Sequence, residues 1–292
     1  MHLLDAKELV PLVAQGALCL IIASIGLQAR TRDVLAAMRN TDLVLRGLLA
    51  VNIIVPIAAL IICSILPIDP LIRIGIVIMA VSPMAPLVQM KMWKGGLDVS
   101  AAIGLYVALI LSAIVFVPAT VALLSALYPT HASISVAAVA KMVAITTLLP
   151  VAVGLAISHW SPDFARRAAP IVLIIGFIAV LLLAVLILYK KGGAILGLLG
   201  DGTLLAIIVT VAVGIAAGNL LGRPNAANSN ALAMAAGTRH PGIAALIVHA
   251  NFPDPRVMLT VLLFLLTGII MTVAYLLWQR RAGDRHGGVS AT

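Results

Sequence analysis

Charged residues, aromatic residues and cysteines are all scarce in this chain. Of its 292 residues, 10% are Asp, Glu, Lys or Arg and 4% are aromatic, whereas 63% are hydrophobic. Soluble domains carry charge on roughly a quarter of their residues, so the composition excludes an ordinary soluble domain. The two cysteines, Cys19 and Cys63, lie inside apolar segments. They are too few for a disulfide framework or a metal cluster, and we expect them to serve as small packing residues.

Long hydrophobic runs take the place of the missing polar residues. A helix that crosses the bilayer core needs about 20 mostly apolar residues, and nine segments meet that requirement. They are residues 9–28, 45–66, 71–92, 99–125, 133–158, 168–189, 203–222, 229–250 and 256–278. Runs such as IVLIIGFIAVLLLAVLILY lack the alternation of a transmembrane barrel strand. The sequence therefore predicts an all-α integral membrane protein with nine transmembrane helices.

The net charge of +9 is divided unevenly between the two sides of the predicted membrane. If the chain crosses nine times, one set of connections holds eleven basic residues and the opposite set four or five. The richer set consists of Arg30, Arg32, Arg39, Lys91, Lys94, Arg166, Arg167, Arg223, Arg280, Arg281 and Arg285. By the positive-inside rule this side is cytoplasmic, which places the amino terminus outside and the carboxyl terminus inside. Orientation in a lipid bilayer explains the basic residues, and no nucleic-acid partner is expected.

Two of the predicted helices contain helix-breaking residues at their centres. The third span has Pro83 and Pro86 in AVSPMAPLVQM, and the eighth has Gly237, Pro241 and Gly242 in AAGTRHPGIAA. Proline removes a backbone donor and clashes with the preceding turn, so both helices should be kinked or unwound there. An ordinary kink would explain either one alone. Irregular backbone at membrane depth is tolerated only where it is buried in protein or lines a cavity.

The two broken helices occupy matching places in two halves of the chain. Residues 1–125 hold spans 1–4 with the broken helix 71–92, and residues 133–279 hold spans 5–9 with the broken helix 229–250. The broken spans are an odd number of crossings apart, so they run in opposite directions. This placement alone predicts an inverted repeat of four and five helices, and paired broken helices indicate a transporter's binding site. The basic tail, residues 280–292, is predicted to be disordered and cytoplasmic.

Arg239 lies at the centre of the eighth span, where an unpaired cation is costly. No acidic residue occupies the centre of any span, so no carboxylate partner is evident. Two roles remain open. Arg239 could donate to carbonyls freed by the breaks, or its planar guanidinium could receive the carboxylate, sulfate or phosphate of a substrate. Its neighbour His240 could carry a proton or remain a neutral, hydrogen-bonded side chain.

Other polar side chains close to the breaks are also candidate substrate contacts. They are Gln89, Thr238 and Ser82. Gln89 can both donate and accept, so it could bind a substrate or satisfy an unwound carbonyl.

Four segments resemble the bile acid:sodium symporter family, in particular its bacterial branch. GTRHPGIAALIVHANF, followed by VLLFLLTGIIMTVAYLLW, is similar to the family's second broken helix and last helix, and this is the strongest part of the resemblance. SPMAPLVQ, followed by WKGGLDVSAAIGL, is similar to the first broken helix and the helix after it. A weaker likeness extends from Leu9 to Trp278. It implies a protein of the bacterial inner membrane.

The resemblance also implies an architecture and an activity. Spans 2–4 and 7–9 would form a core domain in which the broken helices cross, and spans 1, 5 and 6 would form a panel. Substrate would bind between them and be released by a rocking movement, that is, by alternating access. Family substrates are mostly organic anions, namely bile acids, steroid sulfates and small carboxylates, and their transport is usually coupled to sodium. We expect a secondary transporter of this kind; nothing in the sequence specifies the number of subunits, and a monomer would suffice.

This chain departs from the family at the residues that would bind sodium. The family motif places an acid two residues before its glycine, and a glutamine and an asparagine two and three residues after it. Here those positions hold Ala235, Arg239 and His240, while Ser100 and Gln89 are the remaining candidate ion ligands. A hard cation needs several oxygen ligands. We therefore expect organic-anion transport that does not use the usual sodium sites, with no metal or other cofactor.

Several other functions are weighed against this one. A sodium-coupled symporter could build its ion site from main-chain carbonyls, and an exporter like the auxin efflux carriers would have similarly broken helices. An arsenite permease is disfavoured because no cysteine lies near either break. An integral membrane enzyme is disfavoured because no base with an orienting acid can be assigned.

Overall fold

The computed structural model describes residues 6–30, 32, 40–85, 88, 96–127 and 136–287. This part of the chain is mostly helical and contains no strand. The helices are α1 (Ala6–Gln28), α2 (Thr41–Ile65), α3 (Pro70–Val81), α4 (Val99–Leu127), α5 (136–160), α6 (Pro162–Leu196), α7 (Thr203–Gly222), α8 (Ala226–Gly237), α9 (Pro241–Asn251) and α10 (Pro255–Gly287). The predicted all-α class is confirmed.

Six stretches of these helices are long and apolar enough to cross a membrane. They are Thr41–Ile65, Ala101–Thr120, Pro162–Leu183, Thr203–Gly222, Ala226–His249 and Pro255–Gln279. Three shorter apolar stretches, Leu12–Gln28, Pro70–Val81 and Ala144–Trp160, coincide with the first, third and fifth predicted spans. Six full-length spans are found within the described residues, and the count of nine stays a prediction. Helix α3 stops at Val81, whereas helices α1 and α5 extend beyond the apolar stretches found in them.

Helices α6 and α10 are longer than the sequence pattern predicts. Helix α6 begins at Pro162, whose missing N–H is harmless in a first turn, and runs for 35 residues instead of the 22 of segment 168–189. Helix α10 continues to Gly287, eight residues into the segment predicted to be a disordered tail. Gln, Arg and Ala favour helix even where the sequence is no longer hydrophobic. Residues 288–292 lie outside the described part.

Helices α2 and α5 each contain one π turn, at Leu49–Ile54 and Ala144–Leu148. In both, the N–H after the turn bonds a carbonyl five residues back, from Val55 to Ala50 and from Leu149 to Ala144. The next residue is a proline in each case, Pro56 or Pro150, and has no N–H to offer. The Val51 carbonyl therefore has no backbone donor in its own helix, because Val55 bonds Ala50 and Pro56 cannot donate.

Glycines bring α7 and α8 into backbone contact. Gly214, Gly218 and Gly222 recur every four residues on one face of α7. A methyl group on Gly218 would overlap the carbonyl of Leu232 in α8, and the other two glycines likewise face the backbone of α8. Small residues at this spacing let membrane helices approach closely without a hydrophobic driving force. The first half of the second broken helix is thus held rigidly against α7.

A second close contact joins α1 to α5 and α6. Gly26 of α1 faces the Val151 carbonyl of α5, and Gly154 of α5 faces the Ala23 carbonyl of α1. Gly176 of α6 approaches the backbone of α1. These three helices pack mainly on one another, while α2, α3, α7, α8 and α10 pack together elsewhere. Helix α9 touches α3 and α10 on one side and α1 and α5 on the other, so it lies where the two groups meet.

Candidate binding site at the two helix breaks

Both predicted breaks interrupt their helices. Helix α3 ends at Val81, Ser82 is extended, and residues 83–85 are not helical. Helix α8 ends at Gly237, the backbone is extended at Thr238 and His240, and α9 begins at Pro241. Pro86 lies outside the described residues. The N–H of His240 donates to the carbonyl of Pro83 over 2.7 Å, which joins the two breaks directly.

The Arg239 side chain links three elements at this junction. It is only 3% exposed. Its Nη1 donates to the carbonyls of Val51 at 3.0 Å and Ser82 at 3.3 Å, and its Nη2 donates to Ala236 at 3.2 Å. Ser82 and Ala236 lie at the ends of α3 and α8, where carbonyls lack helical partners. These contacts match the role in which the guanidinium supports the broken backbone.

The Val51 carbonyl is an acceptor that sequence reasoning missed. It is available because the π turn and Pro56 together remove its helical donor. The sequence signal for the π turns is a proline near the middle of the second and of the fifth span, in NIIVP and TTLLP. A carbonyl inside an apolar helix cannot otherwise be recognised as a ligand from residue type.

The two hydroxyls predicted to contact substrate bond to their own helices. Ser82 Oγ donates to the carbonyl of Ile78 at 2.8 Å, and Thr238 Oγ1 donates to the carbonyl of Met234 at 2.7 Å. Both residues are buried and both follow the last residue of a half-helix. Their hydrogens are therefore committed locally, and each hydroxyl keeps lone pairs with which it can accept.

His240 has one satisfied and one unsatisfied ring nitrogen. Its Nδ1 accepts the N–H of Ile243 at 3.3 Å and so caps α9. A neutral imidazole that accepts at Nδ1 carries its proton on Nε2, and Nε2 is buried with no partner among the described residues. The ring lines a cavity of about 10 Å³ with Gln15 of α1 and Thr146 of α5. A spare donor thus lies where the two helix groups meet.

The other predicted ligands cannot be placed at this junction. Gln89 lies outside the described residues, and Ser100 is in helix α4 but its side chain is not among those described. Across the described part of the chain, no three His, Cys, Asp or Glu side chains are close enough together to hold a metal ion. Among the described residues, the junction presents the buried guanidinium of Arg239, the imidazole of His240, two hydroxyls and main-chain oxygens.

A comparison with protein families identifies the chain. The model of the Sodium Bile acid symporter family matches residues 16–198, which is more than half of the chain. The chain belongs to this family. Members of the Sodium Bile acid symporter family are membrane transporters, so the prediction of a membrane transporter is confirmed. A search of curated proteins gave no match.

The matched region includes the first break and ends before the second. The sequence had placed the strongest resemblance to the Sodium Bile acid symporter family at residues 237–278, which lie beyond the match. The departures from the family's sodium motif, at Ala235, Arg239 and His240, fall in this unmatched part of the chain.

Proposed function

We propose that this protein is a secondary transporter that moves organic anions by alternating access and does not use the sodium sites of its family. Family membership supports transport across a membrane. The observation that carries the rest is the hydrogen bonding of Arg239 to carbonyls of α2, α3 and α8 at the junction of the breaks. The positively charged side chain of Arg239 then occupies the position at which the family motif has an ion-binding glutamine.

Electrostatics disfavours a sodium ion beside this guanidinium. Two unit charges 4 Å apart repel by about 4 kcal/mol at an effective dielectric constant of 20. The main-chain oxygens of Val51, Ser82 and Ala236 already accept from Arg239, and the Pro83 carbonyl accepts from His240. An ion site built from these carbonyls would have to displace those hydrogen bonds.

The same charge favours an anion in the gap beside α9. None of the ion pairs found among the described residues involves Arg239, so the field of its charge extends into surroundings of low dielectric. His240 offers an Nε2 donor on the side of α9 that faces α1 and α5. We place the substrate's acid group in the small cavity that His240 lines with Gln15 and Thr146. There it would be attracted by the charge of Arg239 and would accept a hydrogen bond from His240 once the helix groups separate.

Alternating access would move the two helix groups relative to each other. We assign α1, α5 and α6 to one body and α2, α3, α7, α8, α9 and α10 to the other, in keeping with their packing. Helix α4 contacts both α5 and α2, and we place it in the second body because the family resemblance does so. Helix α9 touches both bodies, so movement would open and close the gap beside the breaks. We also propose the orientation given by the charges, with the amino terminus outside and the carboxyl terminus inside a bacterial inner membrane.

Uptake into proteoliposomes tests the proposal. A bile acid, a steroid sulfate and a small carboxylate, each radiolabelled, are offered with an inward gradient of either sodium or choline chloride. We expect saturable uptake of at least one anion at the same rate in both salts. Uptake that requires sodium and saturates with it would instead assign a sodium-coupled symporter with a main-chain ion site. Absence of uptake of every anion tried would contradict transport of this substrate class.

A further inference from the structure

An open groove runs between helices α7 and α10. Its volume is about 460 Å³, within the range of about 300–1,000 Å³ that is typical of small-molecule sites. On α7 its lining extends from Ala212 to Leu220, which is about 12 Å along the helix axis at 1.5 Å per residue. On α10 it extends from Met271 to Trp278. We call it the α7–α10 groove, and it is elongated along the two helices.

The α7–α10 groove lies on a surface that faces lipid in a bilayer. Its two walls belong to Thr203–Gly222 and Pro255–Gln279, which are long and apolar enough to cross a membrane. Ala212 and Ala216, one turn apart on α7, are exposed, and their small side chains leave the space of the groove. At its edges, Leu220 is 59% and Trp278 62% exposed. An occupant of the groove therefore reaches it from the lipid phase.

Polar and aromatic side chains mark one end of the groove. The hydroxyl of Tyr275 accepts from Asn219 at 2.6 Å and from Gln279 at 2.8 Å, and it donates to Asn230 of α8 at 3.2 Å. The ring of Trp278 lies 6.1 Å from the ring of Tyr275. Tyrosine and tryptophan are enriched where the hydrocarbon core meets the lipid headgroups. This end of the groove is thus expected at the headgroup level.

Helices α7 and α10 run in the same direction along the groove. A methyl group on Gly237 would touch both Ile215 of α7 and Thr272 of α10, so these two residues lie at one level. Farther along both helices, Asn219 bonds Tyr275. The residues that follow these two therefore lie beyond the same end of the groove, which is its polar end.

Two exposed arginines follow at that end. Arg223 and Arg281 each come three positions after the last groove residue of their helix, and both are exposed. Arg46 of α2 donates to the carbonyls of Leu221 and Arg223 at 3.1 and 3.2 Å, which holds the end of α7 in place. Asp42 forms an ion pair with this Arg46. The guanidinium groups of Arg223 and Arg281 thus add positive charge just beyond the tyrosine and tryptophan.

The order of chemistry along the groove is that of a phospholipid: an apolar channel, then amides and aromatic rings, then cations. A guanidinium binds phosphate through paired hydrogen bonds, and basic residues near the membrane surface attract anionic lipids. We propose that the α7–α10 groove binds an anionic glycerophospholipid of the adjacent leaflet. One acyl chain lies along Ala212 and Ala216, and the phosphate lies at Arg223 and Arg281.

The arginines also disfavour a second copy of the chain as the occupant. Two copies that packed symmetrically through this face would present the same surface to each other. Arg223 and Arg281 of both copies would then lie together at the same membrane level, and like charges repel. A neutral lipid would gain nothing from either arginine.

Quenching of tryptophan fluorescence by brominated lipids tests the proposal, because Trp278 lines the groove. Trp93→Phe with Trp160→Phe leaves Trp278 as the only tryptophan of the full chain. This variant is reconstituted in phosphatidylcholine vesicles that contain increasing fractions of phosphatidylglycerol or phosphatidylcholine brominated at mid-chain. We expect brominated phosphatidylglycerol to quench Trp278 with an apparent affinity about tenfold higher than that of brominated phosphatidylcholine.

A tryptophan elsewhere on the lipid-facing surface is the matched control. Leu182→Trp, combined with phenylalanine at all three native tryptophans, places the reporter at an exposed position in the middle of α6. The nearest basic residues of α6, Arg167 and Lys190, are about two turns away or more. We expect the two brominated lipids to quench this reporter with affinities that agree within about twofold.

Two pairs of substitutions test the role of the charges. Arg223→Gln with Arg281→Gln should reduce the preference for phosphatidylglycerol at Trp278 to about twofold or less. Arg166→Gln with Arg167→Gln removes two exposed arginines that do not line the groove and should leave the preference unchanged.

Two substitutions of equal volume test the role of the apolar channel. Ala216→Leu fills part of the groove and should weaken the binding of phosphatidylglycerol about threefold, because the acyl chain loses contact area. Ala274→Leu adds the same volume at an exposed position of α10 that does not line the groove, and it should have no effect.

Four results would overturn the proposal. Equal quenching of Trp278 by the two lipids, or a preference that persists in Arg223→Gln with Arg281→Gln, would exclude binding of the anionic headgroup. The same preference at Leu182→Trp would assign it to the bilayer as a whole. Absence of quenching of Trp278 by either lipid would mean that protein, such as a second copy of the chain, covers the groove. Equal effects of Ala216→Leu and Ala274→Leu would exclude the groove as the site of the acyl chain.

Discussion

The backbone N–H of His240 donates to the carbonyl of Pro83 over 2.7 Å, so the two broken helices meet at their breaks. An extended segment would otherwise leave polar groups unpaired at membrane depth, at a cost of several kcal/mol each. Arg239 adds side-chain bonds on the same junction, one of them to Ser82, the residue before Pro83. Backbone and side chain of adjacent residues thus stabilise both breaks at once.

Removing the guanidinium should destabilise the protein. Arg239→Met keeps most of the side-chain volume but leaves the carbonyls of Val51, Ser82 and Ala236 without that donor. We expect a loss of about 3 kcal/mol in unfolding free energy, measured as a thermal midpoint about 6 to 10 °C lower in purified protein followed by tryptophan fluorescence. Lys141→Met, at an exposed position of α5, is the control. An unchanged thermal midpoint for Arg239→Met would show that these hydrogen bonds make no net contribution to the free energy of unfolding.

Restoring the family's motif should create sodium dependence. The triple variant Ala235→Glu, Arg239→Gln and His240→Asn replaces the internal cation with side-chain oxygens of the kind that a hard cation prefers. We expect sodium, but not potassium, to raise the thermal midpoint of the triple variant and to leave the wild type unchanged, since a ligand that binds only the folded state stabilises it. Sodium stabilisation of the wild type would refute the proposed absence of a sodium site.

The contact between α7 and α8 should not tolerate a side chain at its centre. In Gly218→Ala the added methyl group would overlap the carbonyl of Leu232, so the helices must separate. We expect a loss of about 1–3 kcal/mol in stability, seen as a lower thermal midpoint. In Gly192→Ala of α6 the added methyl group meets nothing within 4 Å, and we expect a small gain of about 0.5–1 kcal/mol. Equal effects of the two changes would contradict this packing.

The loop before α10 should show a shifted carboxyl titration. The pKa of Asp254 is lowered by the side-chain hydrogen bond from Arg256, and next by the hydrogen bond from the Arg256 backbone. A lowered pKa in the folded state means that this contribution to stability is present above the unfolded pKa and is lost as pH falls through the folded pKa. In Arg256→Gln the pKa should rise toward its ordinary value, while the backbone bond remains.

Carbon-13 NMR of the Asp254 carboxyl group in micelles measures this pKa. Arg281→Gln, an exposed arginine in the second half of α10, is the control and should leave the titration of Asp254 unaltered. An Asp254 pKa that is the same in Arg256→Gln and the wild type would exclude the side-chain bond as its main cause.

The breaks could be predicted from sequence because prolines and a charged residue stand out in apolar segments. Pro83, Pro241 and Arg239 are visible in this way. The partners of Arg239 could not be predicted, since Val51 is an apolar residue whose carbonyl becomes available only through a π turn. The cavity that Arg30, Arg32 and Arg166 line could not be predicted either, for a related reason. Arg30 and Arg166 converge only through helix packing, which the hydrophobic pattern does not specify.

The π turn in α2 also alters how that helix meets its neighbours. Each residue of an α-helix advances about 100° around the helix axis. One extra residue in a turn therefore rotates all later side chains around the axis, relative to where an uninterrupted α-helix would place them. Residues Thr41–Leu48, before the turn, contact α4, whereas Val55–Ile65, after it, contact α3. The two halves of helix α2 thereby pack through differently directed faces. A sequence analysis that applies one constant helical period to the whole of α2 predicts the wrong packing face for one of its halves.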